Sequence, residues 1–369
     1  MATITKTASD SLDVVIVSRP CFKKFYITAH PTSGNSPYQM FENLAQFLHD
    51  NKAGIVSQDV FGCCGLHENG MQALENACGK IEWPVTWIEG DGSAQKALTG
   101  TQAYAISGTS VGSIRLDGQI VGSIFEDDDA RYCLLGDLRP TDTSGSDAEQ
   151  ARETFDKMAA ALSFAEMDFS HVIRTWFYIN RILSWYDRFN SVRTGFFADQ
   201  IVLESIMPAS TGIGAGNCAG VAVVAEALAI KAKKQNIHIY EVPSPLQCPA
   251  SDYKSSFSRA VEVVLPDHRR LYVSGTASIE PGGKTAHVGD VEKQIALTMD
   301  VVEAILGSRQ MGWSDVSRAI AYFKDIQDAS LLDSYCSKKR LPLLPMAVAH
   351  GDICRDELLF EIEIDAVDI

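Results

Sequence analysis

The sequence of 369 residues lacks the patterns that mark several common kinds of site. It has no HExxH motif and no two histidines four residues apart, so it gives no support for a metal site. Its nine cysteines include no CxxC pair, and this odd number indicates reduced thiols rather than disulfides. The N-terminal segment has no apolar region typical of a signal peptide, and we expect a cytoplasmic protein.

Basic residues are also scarce relative to acidic ones. The chain has 32 Lys and Arg against 47 Asp and Glu, a net charge of −15, which repels a phosphate backbone and argues against a nucleic-acid partner. The longest apolar run, near AGVAVVAEALAI at 219–230, is short for a bilayer span and contains Glu226, so no membrane partner is expected. A small anionic substrate remains compatible with this charge, because a cleft can concentrate a few arginines.

What the sequence does contain is an internal repeat. FSHVIRTWFYINR at 169–181 matches WSDVSRAIAYFKD at 313–325, which aligns Arg174 with Arg318 and Tyr178 with Tyr322. An amphipathic helix is predicted before each copy, at 148–164 and 290–306, and Asp290 is a plausible cap for the second one. The repeat therefore predicts two copies of one folding unit.

The first third of the chain resembles a third, weaker copy of the same unit. Each unit has the pattern strand, strand, helix, strand, helix, strand, strand, which predicts tandem α+β modules. The predicted modules span 1–120, 121–235 and 257–369, with a linker at 236–256 where prolines and polar residues interrupt the periodicity.

The C-terminal segment LFEIEIDAV, 359–367, alternates apolar and acidic residues. In a strand, this alternation places Glu361, Glu363 and Asp365 on one face. That face is either solvated or lines a cleft, where burial and neighbouring charge would raise the pKa of one carboxyl and suit it to act as a general acid. Arg174 lies inside an apolar strand, so we expect it to have an anionic partner from the protein or a ligand.

VSGTASIEPGGKTAHVGDVEKQ at 273–294, together with LLFEIEIDAV at 358–367, resembles the RidA (YjgF) family. Members of that family are homotrimers with ligand clefts between subunits. The resemblance implies an intramolecular pseudo-trimer of three RidA-like (chorismate-mutase-like) modules, with one working cleft between the second and third. RidA imine deaminases carry an arginine two residues after a proline of the penultimate strand, where this chain has Thr86, Ser210 and Ala347.

A closer resemblance is to the chorismatases, which share the fused architecture. The motifs that carry it are RTWFYIN (174–180), MPASTGIGA (207–215), RRLYVSGTASI (269–279), HVGDVEKQ (287–294) and HGDICRDELLFEIE (350–363). By this resemblance Glu361 is the general acid, and the substrate-binding residues are Arg174, Arg193, Tyr186, Thr211, Gly275 and Cys354. Phe177 stands where chorismatases usually have asparagine.

Three functions follow as hypotheses. The first is a chorismatase-like hydrolase or lyase that acts on chorismate or a related enolpyruvyl carboxylic acid without a cofactor. The alternatives are RidA-like enamine or imine deamination and non-catalytic binding of a small metabolite. In each case we expect a monomer or a weak homodimer with a small anionic carboxylic acid as its partner.

Overall fold

Each third of the chain folds into three strands followed by helix, strand, helix and two strands. The computed structural model describes residues 1–91, 97–200, 202, 206–253 and 255–369. The first module contains β1 (Thr3–Ala8), β2 (Leu12–Arg19), β3 (Phe22–Ala29), α1 (Gln39–Asn51), β4 (Gly54–Gly62), α2 (His67–Cys78), β5 (Val85–Ile88) and β6 (Leu98–Ser107). The second contains β7 (Gly112–Leu116), β8 (Gln119–Glu126), β9 (Ala130–Leu138), α3 (Asp147–Phe164), β10 (Val172–Ile179), α4 (Tyr186–Asp199), β11 (Ala209–Ile213) and β12 (Val223–Ala232). The third contains β13 (His238–Val242), β14 (Ala260–Val264), β15 (Arg269–Ala277), α5 (Val291–Ser308), β16 (Val316–Phe323), α6 (Ala329–Lys339), β17 (Met346–His350) and β18 (Phe360–Asp368).

The three modules have the same sheet topology. Their strand orders are β1-β2-β3-β6-β4-β5, β7-β8-β9-β12-β10-β11 and β13-β14-β15-β18-β16-β17. In each module the last pair is parallel and its neighbour is antiparallel, so every sheet is mixed. The predicted α+β class with three tandem modules is confirmed.

The module boundaries differ from the predicted ones. The boundary predicted at 120 falls after a hairpin strand of the second module, because β7 pairs with β8. The predicted linker at 236–256 contains β13, which pairs with β14. Each module thus begins with one more strand than the sequence pattern indicated. Both of these strands, β7 and β13, lie at a sheet edge and are largely exposed, which weakens their hydrophobic alternation.

The helices predicted before each repeat are confirmed as α3 and α5. Ser146 and Glu149 form a capping box at the start of α3. The Asp290 side chain accepts a hydrogen bond from the Lys293 backbone N–H and caps α5. Both helices bury one face against the sheet of their own module. Within the described ranges, no helix is long and apolar enough to cross a membrane.

The sheet faces that point away from the helices meet at a common axis, where buried residues of all three modules form one apolar cluster. The two repeated arginines converge there on one carboxylate. Arg174 Nη2 lies 2.8 Å from Glu363 Oε2, and Arg318 Nη1 lies 2.8 Å from Glu363 Oε1. Arg318 also lies 3.4 Å from Asp59 of the first module. The sequence repeat therefore reflects three modules around a pseudo-threefold axis.

Candidate active site

The candidate site lies where β11 of the second module packs beside β15 and β18 of the third, a boundary called here the Glu361 seam. Side chains of β11 are tied to the backbone of β15, because the Gly275 N–H donates to Thr211 Oγ1 at 3.0 Å. In the opposite direction, the Ser210 N–H donates to Ser274 Oγ at 2.9 Å. These bonds fix the two modules in register and hold the walls of a cavity between them.

The cavity in the Glu361 seam has a volume of about 140 Å³. Its lining comes from α4 and β11 on one side and from the third module, including the segment before β14, on the other. Five of the predicted site residues line it: Tyr186, Arg193, Gly275, Cys354 and Glu361. It adjoins a wider groove along α4 with which it shares Asn190 and Arg259.

Glu361 lies on the inner wall of the cavity and is only 5% exposed. The predicted alternation of β18 is confirmed, since its apolar residues pack under α5 while Glu361 and Glu363 face away from that core. Burial, and next the negative charge of Glu363, raise the pKa of Glu361 to about 8. At neutral pH this carboxyl is therefore protonated and able to donate.

Gly275 makes room for that carboxyl. A Cβ atom at this position would lie 2.0 Å from Glu361 Oε1, so any side chain here would force the Glu361 carboxyl to move. The absence of a side chain at Gly275 thus lets Glu361 keep its observed position against the β15 backbone.

Glu363 supplies the fixed negative charge that neighbours Glu361. Burial alone would raise the pKa of Glu363, but Arg174 and Arg318 outweigh it and hold that pKa below its usual range. The Trp176 indole N–H also donates to Glu363 Oε1 at 2.8 Å. The two glutamates of β18 therefore have different protonation states, because only one of them is paired with arginines.

Arg174 and Thr211, also predicted to bind substrate, lie behind the cavity wall and are not among its lining residues. Arg174 is fully buried, and its guanidinium donates to Thr211 Oγ1 at 2.6 Å and to Glu363 Oε2 at 2.8 Å. The anionic partner expected for Arg174 is thus a protein carboxylate. Thr211 joins this buried pair to Gly275, so both residues support the wall on which Glu361 stands.

Three arginines line the cavity: Arg193, Arg259 and Arg355. Arg193 is 1% exposed and donates to Asn190 Oδ1 at 2.6 Å. The Phe257 ring contacts two of the guanidiniums, with Arg193 Cζ at 5.7 Å and Arg259 Cζ at 5.5 Å from its centroid, and such cation–π contacts help to position them. The cavity therefore combines a protonated acid with a cationic wall.

Sequence reasoning identified Arg193 but missed Arg259 and Arg355. Arg355 is adjacent to Cys354 within the motif at 350–363, so that motif held the signal for it. Arg259 lies just beyond the predicted linker, in a segment without periodicity. The Arg259 guanidinium donates twice to the Cys248 carbonyl, at 2.8 and 3.0 Å, which holds the side chain against the cavity.

The remaining predicted residues shape the walls. The Tyr186 ring stacks on Phe189 at a centroid distance of 6.2 Å. Burial, and next Glu361, raise the pKa of Cys354 to about 12, so this thiol is neutral and unsuited to nucleophilic attack.

Phe177 packs against Phe155 under the helices, away from the cavity, so the departure from the asparagine usual in chorismatases leaves the lining unchanged.

The acid is not repeated at the equivalent positions of the other modules. In the third module Glu361 lies opposite Tyr322 on the neighbouring strand. The equivalent residue is Val224, opposite Tyr178, in the second module and Gly100, opposite Phe61, in the first. Of the three equivalent positions, only that of the third module carries a carboxyl. Among the described residues, no cluster of three or more His, Cys, Asp or Glu side chains could hold a metal ion.

Comparison with known proteins connects this architecture to two groups. Residues 250–368 match the family described as Endoribonuclease L-PSP. A chorismatase from Streptomyces rapamycinicus is 28% identical over 222 residues, which cover 53% of this chain and 64% of that protein. A 3-hydroxybenzoate synthase from Streptomyces hygroscopicus is 27% identical over 276 residues, 67% of this chain and 76% of that protein. The match to the first relative thus spans slightly less than two thirds of its length.

A solved structure extends the similarity over nearly the whole chain. The crystal structure of a chorismatase superposes with a TM-score of 0.63 at 18% identity, covering 92% of this chain and 98% of the other. At this identity the match shows a shared fold, and it includes all three modules. The chain thus has a three-module fold that is similar to that of a chorismatase, and its third module matches the Endoribonuclease L-PSP family.

Proposed function

We propose that this protein is a chorismatase-like enzyme that needs no cofactor and cleaves the enolpyruvyl ether of chorismate or a closely related carboxylic acid. The observation that carries the proposal is the meeting of a buried, protonated Glu361 with three arginines in one cavity. The relatives named chorismatase and 3-hydroxybenzoate synthase support the choice of substrate class.

The first step is proton transfer from Glu361 to the terminal methylene carbon of the enolpyruvyl group. The C=C electron pair forms the new C–H bond, and the ether oxygen stabilises the resulting oxocarbenium ion. A buried carboxylic acid suits this step, because burial keeps the proton on Glu361 at neutral pH and because the carboxylate left behind stabilises the cation. The charge of Glu363, fixed by Arg174 and Arg318, keeps Glu361 protonated for the next turnover.

The arginines serve substrate binding. Chorismate is a dicarboxylate, and guanidinium groups bind carboxylates through paired hydrogen bonds. Arg193 and Arg259 approach from different modules, on α4 and on the segment before β14, and Arg355 lies beside Cys354. We therefore assign the substrate carboxylates to this cationic wall, whereas Arg174 acts on the acid from behind it.

Two products are compatible with the same protonated intermediate. Attack of water on the oxocarbenium carbon gives a hemiketal, which collapses to pyruvate and a dihydroxycyclohexadiene carboxylate. Alternatively, pyruvate leaves as the ring loses a proton and becomes aromatic, which gives a hydroxybenzoate without net uptake of water. Gly275 and Cys354 resemble the second pattern, and both routes release one pyruvate per chorismate.

The test is incubation of the purified full-length protein with chorismate. We expect equimolar pyruvate, measured with lactate dehydrogenase and NADH, together with a cyclic product that chromatography assigns as aromatic or diene. Addition of a metal chelator should leave the rate unchanged. Ammonia release from an imino acid, with no pyruvate from chorismate, would instead favour a deaminase, and saturable chorismate binding without pyruvate would favour a binding protein.

A further inference from the structure

Two cysteines from different modules face each other at the boundary between the first and second modules. Cys64 lies just before α2, and Cys218 lies in the loop between β11 and β12. Their Sγ atoms are 2.9 Å apart, less than 1 Å more than the bond length of about 2.05 Å in a disulfide. Only a small adjustment separates this contact from a covalent bond.

Both sulfur atoms are held by ordered backbone. The Cys64 N–H donates to Glu89 Oε2 at 2.6 Å, and the Glu89 N–H donates to the Gly216 carbonyl at 3.2 Å, so one residue anchors both partners. On the other side, the Asn217 side-chain N–H donates to the Val221 carbonyl at 2.9 Å, and its Oδ1 accepts from the Val221 N–H at 3.1 Å. Cys218 is thereby presented on a fixed turn.

The pair is open to reagents and chemically asymmetric. Cys218 is exposed and Cys64 is partly buried. The hydrogen bond between the two thiols lowers the pKa of Cys218, and the same bond, together with burial and Glu89, raises the pKa of Cys64. The solvent-facing sulfur is thus the one that ionises more readily, an arrangement found in cysteines that react with oxidants.

We propose that Cys64 and Cys218 form a disulfide that links the first module to the second when the protein meets a peroxide. The Cys218 thiolate attacks one peroxide oxygen, the O–O bond breaks, and Cys218 becomes a sulfenic acid as water is released. The Cys64 sulfur then attacks Cys218 Sγ, which forms the S–S bond and releases a second water. In sum, two thiols are oxidised and one hydrogen peroxide is reduced to two waters.

The Cys64–Cys218 disulfide would stabilise the folded protein. It joins residues 154 positions apart, and a cross-link over so long a loop strongly restricts the unfolded chain. It also prevents the first module from separating from the second. This proposal is independent of the reaction at the Glu361 seam, since neither cysteine lines that cavity.

The test compares the full-length protein after treatment with dithiothreitol and with a small excess of hydrogen peroxide. We expect the number of thiols titrated after denaturation to fall from nine to seven, and mass spectrometry of a non-reduced digest to show a peptide that links Cys64 to Cys218. The oxidised protein should have a melting temperature roughly 5 °C or more above the reduced one.

Two variants provide the controls. Cys218→Ser should abolish the cross-link and the temperature shift, whereas Cys63→Ser, which removes the adjacent cysteine, should preserve both. A thiol count that stays at nine, a link through Cys63, or a bond between two chains would each overturn the proposal. Circular dichroism of the Cys218→Ser protein establishes that a lost cross-link does not come from misfolding.

Discussion

Two boundaries between modules share one backbone scaffold but differ in the chemistry they can support. At the Glu361 seam, Thr211 Oγ1 accepts a hydrogen bond from the Gly275 N–H at 3.0 Å. At the boundary between the first and second modules, Thr86 Oγ1 accepts the same bond from the Asp137 N–H, also at 3.0 Å. The comparison shows that the docking of modules is preserved where the acid of β18 is not.

The difference lies in two positions. In the third module, Gly275 on β15 leaves room for the carboxyl of Glu361 on β18, whereas the second module has Asp137 on β9 and Val224 on β12 at these two positions. Asp137 carries a side chain at the position where Gly275 leaves room for a carboxyl. Burial raises the pKa of Asp137 to about 6 against the opposing effect of Arg139. A carboxyl is thus present at both boundaries. At the Glu361 seam it lies on β18 in a cavity lined by three arginines, whereas Asp137 lies on β9 beside Arg139.

The largest effect should come from removing the acid of the Glu361 seam. Glu361→Gln keeps the size and polarity of the side chain but cannot deliver the proton, so kcat should fall roughly 10²- to 10⁴-fold. Glu292→Gln, on the exposed surface of α5, is the matched control and should leave kcat unchanged. Steady-state pyruvate release measures both. Full activity in Glu361→Gln would remove this residue from the mechanism.

Truncation of the cationic wall should weaken substrate binding. Arg193→Met preserves much of the apolar stem but removes a charged donor, which should lower kcat/KM on the order of 10²-fold, mainly through KM. Arg139→Met, which removes an arginine at the boundary between the first and second modules, should have little effect on kinetics. Thermal denaturation of both variants distinguishes lost binding from lost folding. Equal kinetic losses in the two variants would contradict the assignment of the site.

A methyl group at Gly275 should displace the acid. In Gly275→Ala the new Cβ occupies space held by Glu361 Oε1, so we expect kcat to fall on the order of tenfold or more as the carboxyl moves. Asp137→Ala, at the corresponding position of the other boundary, should retain the parental rate. A crystal structure of Gly275→Ala would show the shifted carboxyl, and an unmoved carboxyl with normal kcat would contradict the prediction.

The pH dependence should distinguish the acid of the Glu361 seam from ordinary glutamates. Because the working form of Glu361 is protonated, kcat should decline as pH rises through about 8, roughly tenfold per unit above it. The stability of the folded protein should change with pH in the same direction as kcat. The raised pKa contributes stability that is complete below the ordinary value of 4.5 and is lost as pH rises through about 8. Melting temperatures between pH 6 and 9 should therefore fall more in the parent than in Glu361→Gln.

Local sequence patterns predicted much of the fold. The alternation of β18 gave the face on which Glu361 lies, because side-chain direction in a strand depends only on parity. The edge strands β7 and β13 were placed outside the modules to which they belong, because most of their residues are exposed and give little apolar pattern. The tandem repeat was visible because the same order of helices and strands recurs, with Arg174 and Tyr178 aligned to Arg318 and Tyr322.

The site was less predictable, because it depends on contacts between distant residues. Arg174 and Arg193 were both predicted to bind substrate carboxylates. Arg174 instead binds Glu363, 189 positions away, whereas Arg193 lines the cavity. No local pattern separates these outcomes. Arg259 was missed for the same reason, since its place in the cavity depends on the Cys248 carbonyl and the Phe257 ring.

The covalent joining of the three modules has a consequence for how the cavity responds to dilution. In a trimer of separate subunits, a cleft between neighbours disappears when the assembly dissociates, so activity per subunit falls at low concentration. Here the second and third modules are held together by the peptide chain, at an effective concentration that does not change as the protein is diluted. The specific activity should accordingly remain constant from micromolar to nanomolar protein.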